Sequence, residues 1–263
     1  MCEHSTQVLV AGAGVGGVAA ALAALEGGAS VILTEECDWI GGQLTSQAVP
    51  PDENWAIETT GCTAAYREFR RRVRDVYRRT YPLLPEHRDN PLFDPGNALV
   101  SHIAHEPRVS LAVLTELLTP WISRGRLQVC TQWEPIAAHT DGDVVTSATF
   151  RDAASDEHEV SAAIVLDATE EGVLLELAGV EHVIGTESAS QTGEMHAPAE
   201  ADSLDQQAIT WCFALGHDEG ADHTIERPAQ YDYWRDFQAD FWPAKQLSWN
   251  DLDPETLEPR HKA

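Results

Sequence analysis

The chain has 263 residues, of which 43 are Asp or Glu and 17 are Lys or Arg, so its formal net charge is −26. This length suffices for one large domain or for two smaller ones. Nucleic acids and anionic membranes attract positively charged surfaces, so the strong negative charge argues against both as partners.

The cysteines give information about the cellular compartment. There are five of them, scattered along the chain, and none belongs to a C-x-x-C pair. We see no export signal ahead of the first apolar run. The sequence therefore predicts a reduced, cytoplasmic setting rather than a disulfide framework.

The first predicted structural unit covers residues 7–36 and follows a loose leader of six residues. The apolar run Gln7–Ala11 is typical of a buried strand. An alanine-rich segment that ends at Leu25 is expected to form a helix, because two glycines follow it. A second apolar run, Val31–Thr34, predicts the next strand and is followed directly by Glu35.

Three glycines in this unit have the G-x-G-x-x-G spacing of a dinucleotide-binding turn. Gly12 permits a tight turn, Gly14 lets a pyrophosphate approach the backbone, and Gly17 lets the helix pack close to the strand. Free N–H groups at the helix start attract phosphate. Glu35 holds the position of the acidic residue that accepts hydrogen bonds from a ribose. We predict dinucleotide binding; the alternative is a glycine-rich turn in an ordinary α/β unit.

A membrane-spanning segment is a second alternative for the same residues. Residues 8–25 carry no charge and are about long enough to cross a bilayer. Their glycines, however, fall at turn spacing, and no basic residue precedes them, whereas a signal peptide needs a positive first region. We therefore interpret this stretch as a buried strand–helix unit and predict no membrane partner.

A glycine pair and an arginine-rich helix follow. Gly41-Gly42 lets the backbone lie against a flat or charged ligand, although a plain turn fits the same residues equally well. A helix is predicted from Gly61-Cys62-Thr63 to about Arg79, with an apolar stripe at helical spacing. Its seven arginines lie mostly on the other face, among them Arg67, Arg70, Arg71, Arg74 and Arg78. We interpret them as a cationic face that is salt-bridged within an acidic protein, not as a nucleic-acid-binding surface.

The middle of the chain predicts a helix, a strand and a β-meander. Pro107 marks the start of the helix, which Pro120 is expected to end or kink. Residues 126–132 are predicted to form a third strand, and residues 133–162 to form the meander, which contains a strong Asp-Gly hairpin signal. A short helix at about 173–178 comes next. The three meander strands are 136–139, 144–150 and 160–166.

One cysteine and one group of histidines with a glutamate are weaker candidates for a reactive or metal-binding role. Cys62 lies at a predicted helix start, where a redox role, or a role beside a bound cofactor, competes with that of a small packed residue. His102, His105 and Glu106 resemble a metal cluster only superficially, because the spacing is not H-E-x-x-H and one loop supplies all three. No metal site is predicted, and no other catalytic constellation is found.

Several sequence blocks occur together over nearly the whole chain. They are the glycine turn, D-W-I-G-G-Q-L-T-S-Q-A at Asp38–Ala48, G-C-T at Gly61–Thr63, H-E-P-R-V at His105–Val109, D-A-T-E-E-G at Asp167–Gly172, and the stretches around Gly193-Glu194 and Trp211–Leu215. With these blocks the chain resembles FAD-dependent oxidoreductases of the glutathione-reductase structural type. More narrowly, it is similar to uncharacterised bacterial FAD-dependent oxidoreductases.

This resemblance implies that FAD is bound in extended form. The glycine turn would hold the pyrophosphate, and Glu35 the adenosine ribose. The glycine pair and the residue after it would lie along the pyrophosphate toward the flavin, and backbone near residue 133 would meet the adenine. The implied cofactor-binding residues are Gly12, Gly14, Val15, Gly16, Gly17, Glu35, Glu36, Gly41, Gly42, Gln43, Trp133, Glu134, Ala168 and Thr169.

The implied architecture is α/β: a three-layer, Rossmann-like FAD-binding domain with a parallel sheet and a β-meander crossover, followed by a partial α+β substrate or cap region. The expected boundaries are residues 1–180 and 181–263. Members of the resembled family normally continue for a second stretch of comparable length that completes the substrate domain. The sequence therefore suggests a split or truncated protein.

The expected function is hydride transfer between a small organic substrate and flavin. Two alternatives stay open: a non-catalytic remnant or regulatory subunit that keeps the fold, and an NAD(P)-dependent dehydrogenase, against which the meander argues. Aromatic residues are dense near the carboxyl end, and exposed apolar patches mark association sites. A complementary chain or a homo-oligomer is therefore expected, besides the small-molecule substrate.

Overall fold

The computed structural model describes residues 2–98, 102–207, 209, 212–213, 216–240, 242–253 and 256–261. The chain divides into two compact units, residues 1–214 and residues 215–263. The first unit contains the glycine turn and a six-stranded sheet. The boundary near residue 180 that the sequence suggests stays a prediction.

The elements follow the predicted order of a strand–helix–strand unit, helices, a third strand and a meander. The strands are β1 (Cys2–Ala11), β2 (Val31–Glu35), β3 (Leu127–Thr131), β4 (Glu134–Asp141), β5 (Val144–Arg151), β6 (Glu157–Asp167), β7 (Asn250–Leu252) and β8 (Pro259–His261). The helices are α1 (Val15–Glu26), α2 (Ala64–Thr80), α3 (Pro85–Arg88), α4 (Pro107–Ser123), α5 (Val173–Leu177), α6 (Ala189–Thr192) and α7 (Tyr231–Asp236). Within the described ranges, no helix combines the length and the apolar character that a membrane span requires.

The six-stranded sheet has the order β3-β2-β1-β6-β5-β4. Strands β3, β2, β1 and β6 run parallel, whereas β5 and β4 are antiparallel to their neighbours. Strand β6 joins the parallel part of the sheet to the antiparallel part. It pairs with β1 as far as Asp167, but with β5 only over its first half. The predicted α/β fold with a parallel sheet and a meander is confirmed.

The sheet buries an apolar cluster on each face. Val8 and Val10 of β1 pack with α1, α2 and α4, whereas Leu9 and Ala11 pack with the meander and α5. This alternation follows from the two-residue repeat of a strand. Helices therefore cover one face and the meander covers the other, which gives the three expected layers.

Strand β1 begins earlier than expected. Residues 2–6 form no loose leader, because they pair in parallel with β6 from His158 to Ala162. His4 also lies edge-on to Trp133, with 5.5 Å between ring centroids. Strand β6 supplies partners for backbone groups that would otherwise need water. The polar side chains of this segment hide the strand in the sequence.

Helix α2 buries two arginines that the sequence analysis placed on its outer face. Arg70 and Arg74 are each only 3% exposed. Glu58 accepts hydrogen bonds from both guanidinium groups, at 2.7 Å from Arg74 Nη2. Arg70 also pairs with Glu53 at 3.1 Å. The salt-bridged character is confirmed, but the exposure expected for these two residues is wrong, because the loop before the helix covers them.

We expect Glu58→Ala to destabilise the fold by about 3 kcal/mol, because it leaves two buried guanidinium groups without their shared partner. Burial opposes ionisation of Glu58, but hydrogen bonds from Arg74 and Arg70 outweigh it and hold its pKa below the usual 4.5. A depressed pKa stabilises the fold above pH 4.5, and this contribution is lost as the pH falls below that value. Urea unfolding at pH 7 and at lower pH measures both effects.

Glu68→Ala is the matched control for Glu58→Ala. Glu68 pairs with Arg71 and Arg72 on the solvent side of α2, where an ion pair contributes less than about 1 kcal/mol. Equal losses of unfolding free energy for the two variants would contradict the importance of burial at Glu58.

Pro120 neither ends α4 nor stops its packing. The helix continues to Ser123, one turn past the proline. Leu118 is buried, and Trp121 packs against the same core cluster. We attribute the continuation to these contacts, which hold the last turn although Pro120 has no N–H to donate.

The second unit is built from short elements. It contains α7 and the β7–β8 hairpin, and the rings of Tyr233, Trp234 and Phe237 contact one another around α7. Trp249 is 75% exposed. Two aromatic residues of the predicted dense region, Trp211 and Phe241, lie outside the described residues.

Candidate functional site

The glycine turn connects β1 to α1, and two of its three motif glycines are required by close packing. Gly12 has φ +93°, and a Cβ there would lie 2.2 Å from the Ala168 carbonyl oxygen. A Cβ on Gly17 would lie 1.9 Å from the Gly12 carbonyl oxygen. These two positions therefore let the turn fit against the loop after β6 and let α1 approach β1.

Gly14 has a different role, because its Cα faces a notch rather than packed backbone. A Cβ on Gly14 would contact only the Glu170 side chain, 2.7 Å from Oε1. Gly42 forms a second wall, since a Cβ there would lie 3.1 Å from Gly14 Cα and 2.7 Å from the same Glu170 oxygen. The carboxylate of Glu170 therefore lies between two glycines that have no side chains of their own.

The start of α1 borders this notch and offers free donors. Gly14 is the cap residue, no side chain caps the helix, and its first turn contains no acidic residue. The first N–H groups of a helix have no acceptor within the helix, and the helix dipole adds positive potential there. With the Glu170 carboxylate moved aside, a notch between two glycines beside such a helix start fits a diphosphate group.

Glu35 lies at the end of β2 with its carboxylate toward the glycine turn. Its Oε2 accepts a hydrogen bond of 2.9 Å from the Ala13 N–H, and its Oε1 accepts one of 3.0 Å from the Cys37 N–H. It is only 8% exposed and lines one crevice with Gly12 and Gly14. Each oxygen keeps a second lone pair, which a ribose hydroxyl can use.

The glycine pair lies where the sequence analysis predicted a close backbone approach. Gly41 (φ +106°) donates its N–H to the Ala13 carbonyl at 2.7 Å, and Gly42 has φ +45°. Gln43 is exposed, and its carbonyl accepts from the Val49 N–H. The pair is therefore fixed against the turn, while the Gln43 side chain points away from the packed core.

The remaining predicted residues divide between the crevice and its surroundings. Trp133, Ala168, Thr169 and Glu36 line the crevice, and the Trp133 ring stacks on His158 with 4.0 Å between centroids. The Thr169 hydroxyl donates to Asp167 and accepts from the Val173 N–H, so the loop itself uses it. Val15, Gly16 and Glu134 lie outside the crevice lining: the first two in the first turn of α1, the third at the start of β4.

Carboxylates surround the crevice. Burial raises the pKa of Glu36, and the negative charges of Glu35, Glu171, Glu134 and Glu170 raise it further. These four carboxylates lie near enough to Glu36 to disfavour its ionised form. An approaching diphosphate is therefore repelled by the rim and attracted by the helix start.

Glu170 is the site residue that the sequence analysis missed. It was quoted only as part of the D-A-T-E-E-G block at the end of β6. Because β6 lies beside β1 in parallel, its carboxyl end meets the glycine turn at the same edge of the sheet. The block together with that strand order was the signal that could have identified it.

A comparison with known protein families decides the assignment. A sequence model described as FAD dependent oxidoreductase matches residues 7–262. The chain belongs to the FAD dependent oxidoreductase family. FAD is accordingly its cofactor. The uncapped helix start and the Glu35 carboxylate are groups that a diphosphate and a ribose require, and the Glu170 side chain occupies the notch between Gly14 and Gly42 in this structure. The narrower glutathione-reductase type and the individual binding residues stay predictions.

Solved structures resemble the chain only distantly. Mycobacterium smegmatis Sdh1 in complex with UQ1 has 14% identity and a TM-score of 0.42, over 64% of this chain and 34% of that one. A geranylgeranyl bacteriochlorophyll reductase-like protein from Thermoplasma acidophilum has 17% identity and a TM-score of 0.40, over 68% and 43%. A 3-ketosteroid-delta4-(5alpha)-dehydrogenase from Rhodococcus jostii has 16% identity and a TM-score of 0.38, over 63% and 46%.

These three matches cover between about a third and a half of the solved chains' own lengths. No curated protein matches the sequence at a significant level.

We expect Glu170→Gln to tighten FAD binding by about tenfold, which corresponds to about 1.4 kcal/mol. The substitution keeps the size of the side chain but removes the charge from the notch that the diphosphate would enter. Quenching of FAD fluorescence during titration measures the change in dissociation constant.

Glu171→Gln is the matched control for Glu170→Gln. It removes the same charge from the next residue, which does not contact Gly14 or Gly42. An equal gain in FAD affinity for both variants would show a general charge effect and would contradict a specific role of Glu170.

Proposed function

We propose that the chain is an FAD-dependent oxidoreductase, or the FAD-binding part of one, that transfers hydride between a small organic substrate and flavin. The observation that supports this most is the notch between Gly14 and Gly42, beside an uncapped helix start and the Glu35 carboxylate. The family assignment supports the same proposal.

Each part of the site has a separate task in this proposal. The amide groups at the start of α1 bind the diphosphate, and Glu35 fixes the ribose. Gly41 and Gly42 give the cofactor close access to the backbone. Bound FAD supplies the hydride-accepting group, and the protein binds and orients it.

The test is to load the purified chain with FAD and to record its visible spectrum. We expect a stoichiometric flavin band that bleaches when an oxidisable substrate is added without oxygen. A chain that takes up NAD(P)H instead of FAD would support the dehydrogenase alternative. A chain that binds FAD but is never reduced, alone or with a candidate partner chain, would support a non-catalytic or regulatory subunit.

We further propose a partner and a compartment. Association with a complementary chain or with a second copy is supported by the exposed aromatic side chains of residues 215–263, among them Tyr233 and Trp249. Residues 181–263 would contribute a substrate or interaction region. A cytoplasmic setting is supported by the five cysteines, which are scattered along the sequence and include no C-x-x-C pair. Light scattering that finds a clean monomer, alone and with the partner, would contradict the association.

A further inference from the structure

A second cavity is lined in part by the segment that follows the glycine pair. It has a volume of about 510 Å³, and Leu44 and Ala48 are the lining residues from the segment that follows Gly41-Gly42 in the sequence. Most of its wall is apolar, with Val49, Pro50 and further prolines. The cavity therefore lies next to the segment that is predicted to lead from the pyrophosphate toward the flavin.

One side of this cavity carries a carboxylate held by two tyrosines. Both hydroxyl groups, from Tyr77 and from Tyr81, donate to Glu106 Oε2 at 2.8 Å. The two rings stack, with 4.8 Å between centroids, and the Glu106 N–H donates to the Tyr77 oxygen at 3.1 Å. The second carboxylate oxygen, Oε1, receives no donor from the described residues, so it is free to bind a ligand.

Glu106 is the only charged group among the described residues that line the cavity. Hydrogen bonds from Tyr81 and Tyr77 hold the pKa of Glu106 below its usual range, so the group is ionised at neutral pH. Within the described ranges, no Arg, Lys or His nitrogen lies within 4.0 Å of it; Arg108, which lines a different cavity, acts only at longer range.

His105, the other titratable neighbour, carries no charge to offset Glu106. Burial lowers the pKa of His105. One ring nitrogen contacts the Ile103 carbonyl, which can only accept, so that nitrogen donates. The other ring nitrogen lies 2.6 Å from the Ser110 hydroxyl and accepts from it. The cavity thus combines an apolar wall, one unpaired negative charge and two aromatic rings.

We propose that this cavity binds a small organic amine, with its ammonium group on Glu106 Oε1 and its hydrocarbon part against the apolar wall. An ionised carboxylate binds a cationic donor more strongly than a neutral one, and it repels carboxylates and phosphates. The faces of tyrosine rings also attract cations. The proposal rests on the proposed function only in making this ligand the substrate; the binding itself does not depend on FAD.

The test is calorimetric titration of the FAD-loaded chain with benzylamine, benzyl alcohol and benzoate, which differ in charge and share one ring. We expect benzylamine to bind about tenfold more tightly than the other two, as one charge-assisted contact implies. Its affinity should fall with added salt, whereas that of benzyl alcohol should not. Benzoate binding as tightly as benzylamine, or no benzylamine binding at all, would overturn the proposal.

Two variants locate the binding site. Glu106→Gln keeps an oxygen for the tyrosine hydroxyl groups and removes the charge, so benzylamine affinity should fall about tenfold. Glu86→Gln removes an exposed charge outside the cavity and should leave the affinity unchanged. Unchanged benzylamine binding by Glu106→Gln would refute the site.

The visible flavin band of the same samples separates this proposal from the proposed function. A chain that takes up no FAD but binds benzylamine through Glu106 would refute the flavoenzyme and support the amine site. If Glu106→Gln does not fold, the salt dependence of benzylamine binding to the wild-type chain still tests whether a charge holds the ligand.

Discussion

Gly14→Val is expected to weaken FAD binding by on the order of 100-fold, about 2.7 kcal/mol. Gly14 has φ −58° and ψ −176°, a backbone conformation open to any L-residue. The Cβ of the new side chain would contact only Glu170, whose flexible carboxylate can move away. The fold should therefore survive, while the notch that a diphosphate needs is filled.

FAD titration followed by flavin fluorescence, together with thermal unfolding of the FAD-free chain, tests this expectation. Gly27→Ala is the matched control, because Gly27 lies at the other end of α1, has a helical backbone (φ −70°, ψ −3°), and a Cβ there would lie 3.4 Å from its nearest neighbours. Alanine favours a helical backbone by about 0.5–1 kcal/mol relative to glycine, so this variant should melt slightly higher and keep its FAD affinity. Wild-type affinity in Gly14→Val would show that the diphosphate lies elsewhere.

Glu35→Gln is expected to lower FAD affinity by about ten- to a hundredfold, the equivalent of one or two charge-assisted hydrogen bonds. The carboxylate accepts from the Ala13 and Cys37 N–H groups and keeps lone pairs for the ribose. An amide presents an NH₂ group to one of these donors, so the side chain must either turn or lose a contact. A lower melting temperature of the FAD-free variant should accompany the loss.

Glu36→Gln separates the role of Glu35 from the general effect of acidity. Glu36 is the next residue, and partial desolvation together with its carboxylate neighbours raises its pKa. Removing its charge should leave FAD affinity unchanged or raise it. A fall as large as that of Glu35→Gln would mean that the ribose is held by a different carboxylate.

The local parts of the fold and site could be predicted from the sequence because their signals are short-range. The spacing of Gly12, Gly14 and Gly17 and the position of Glu35 are properties of one strand–helix–strand unit. The meander was equally visible, since alternating strands and an Asp-Gly turn specify it locally.

What the sequence analysis missed depends on contacts between distant segments. The leader joins the sheet because β6 is available as a partner, and Arg70 and Arg74 are buried because Glu58 arrives from the preceding loop. Glu170 reaches the notch only through the pairing of β6 with β1. No pattern within any one of these segments shows which distant segment it will contact. Hydrophobic periodicity indicates which face of a helix or strand is buried, but not what covers that face.

The pairing of Cys2 with His158 joins two segments that are synthesised far apart in time. The first strand leaves the ribosome long before its central neighbour exists, so one of its edges must wait unpaired while the helices are made. Distant pairing of this kind slows folding and exposes strand edges to aggregation. We expect the crevice to be complete only after residue 170 has been synthesised, because Ala168, Thr169 and Glu170 line it.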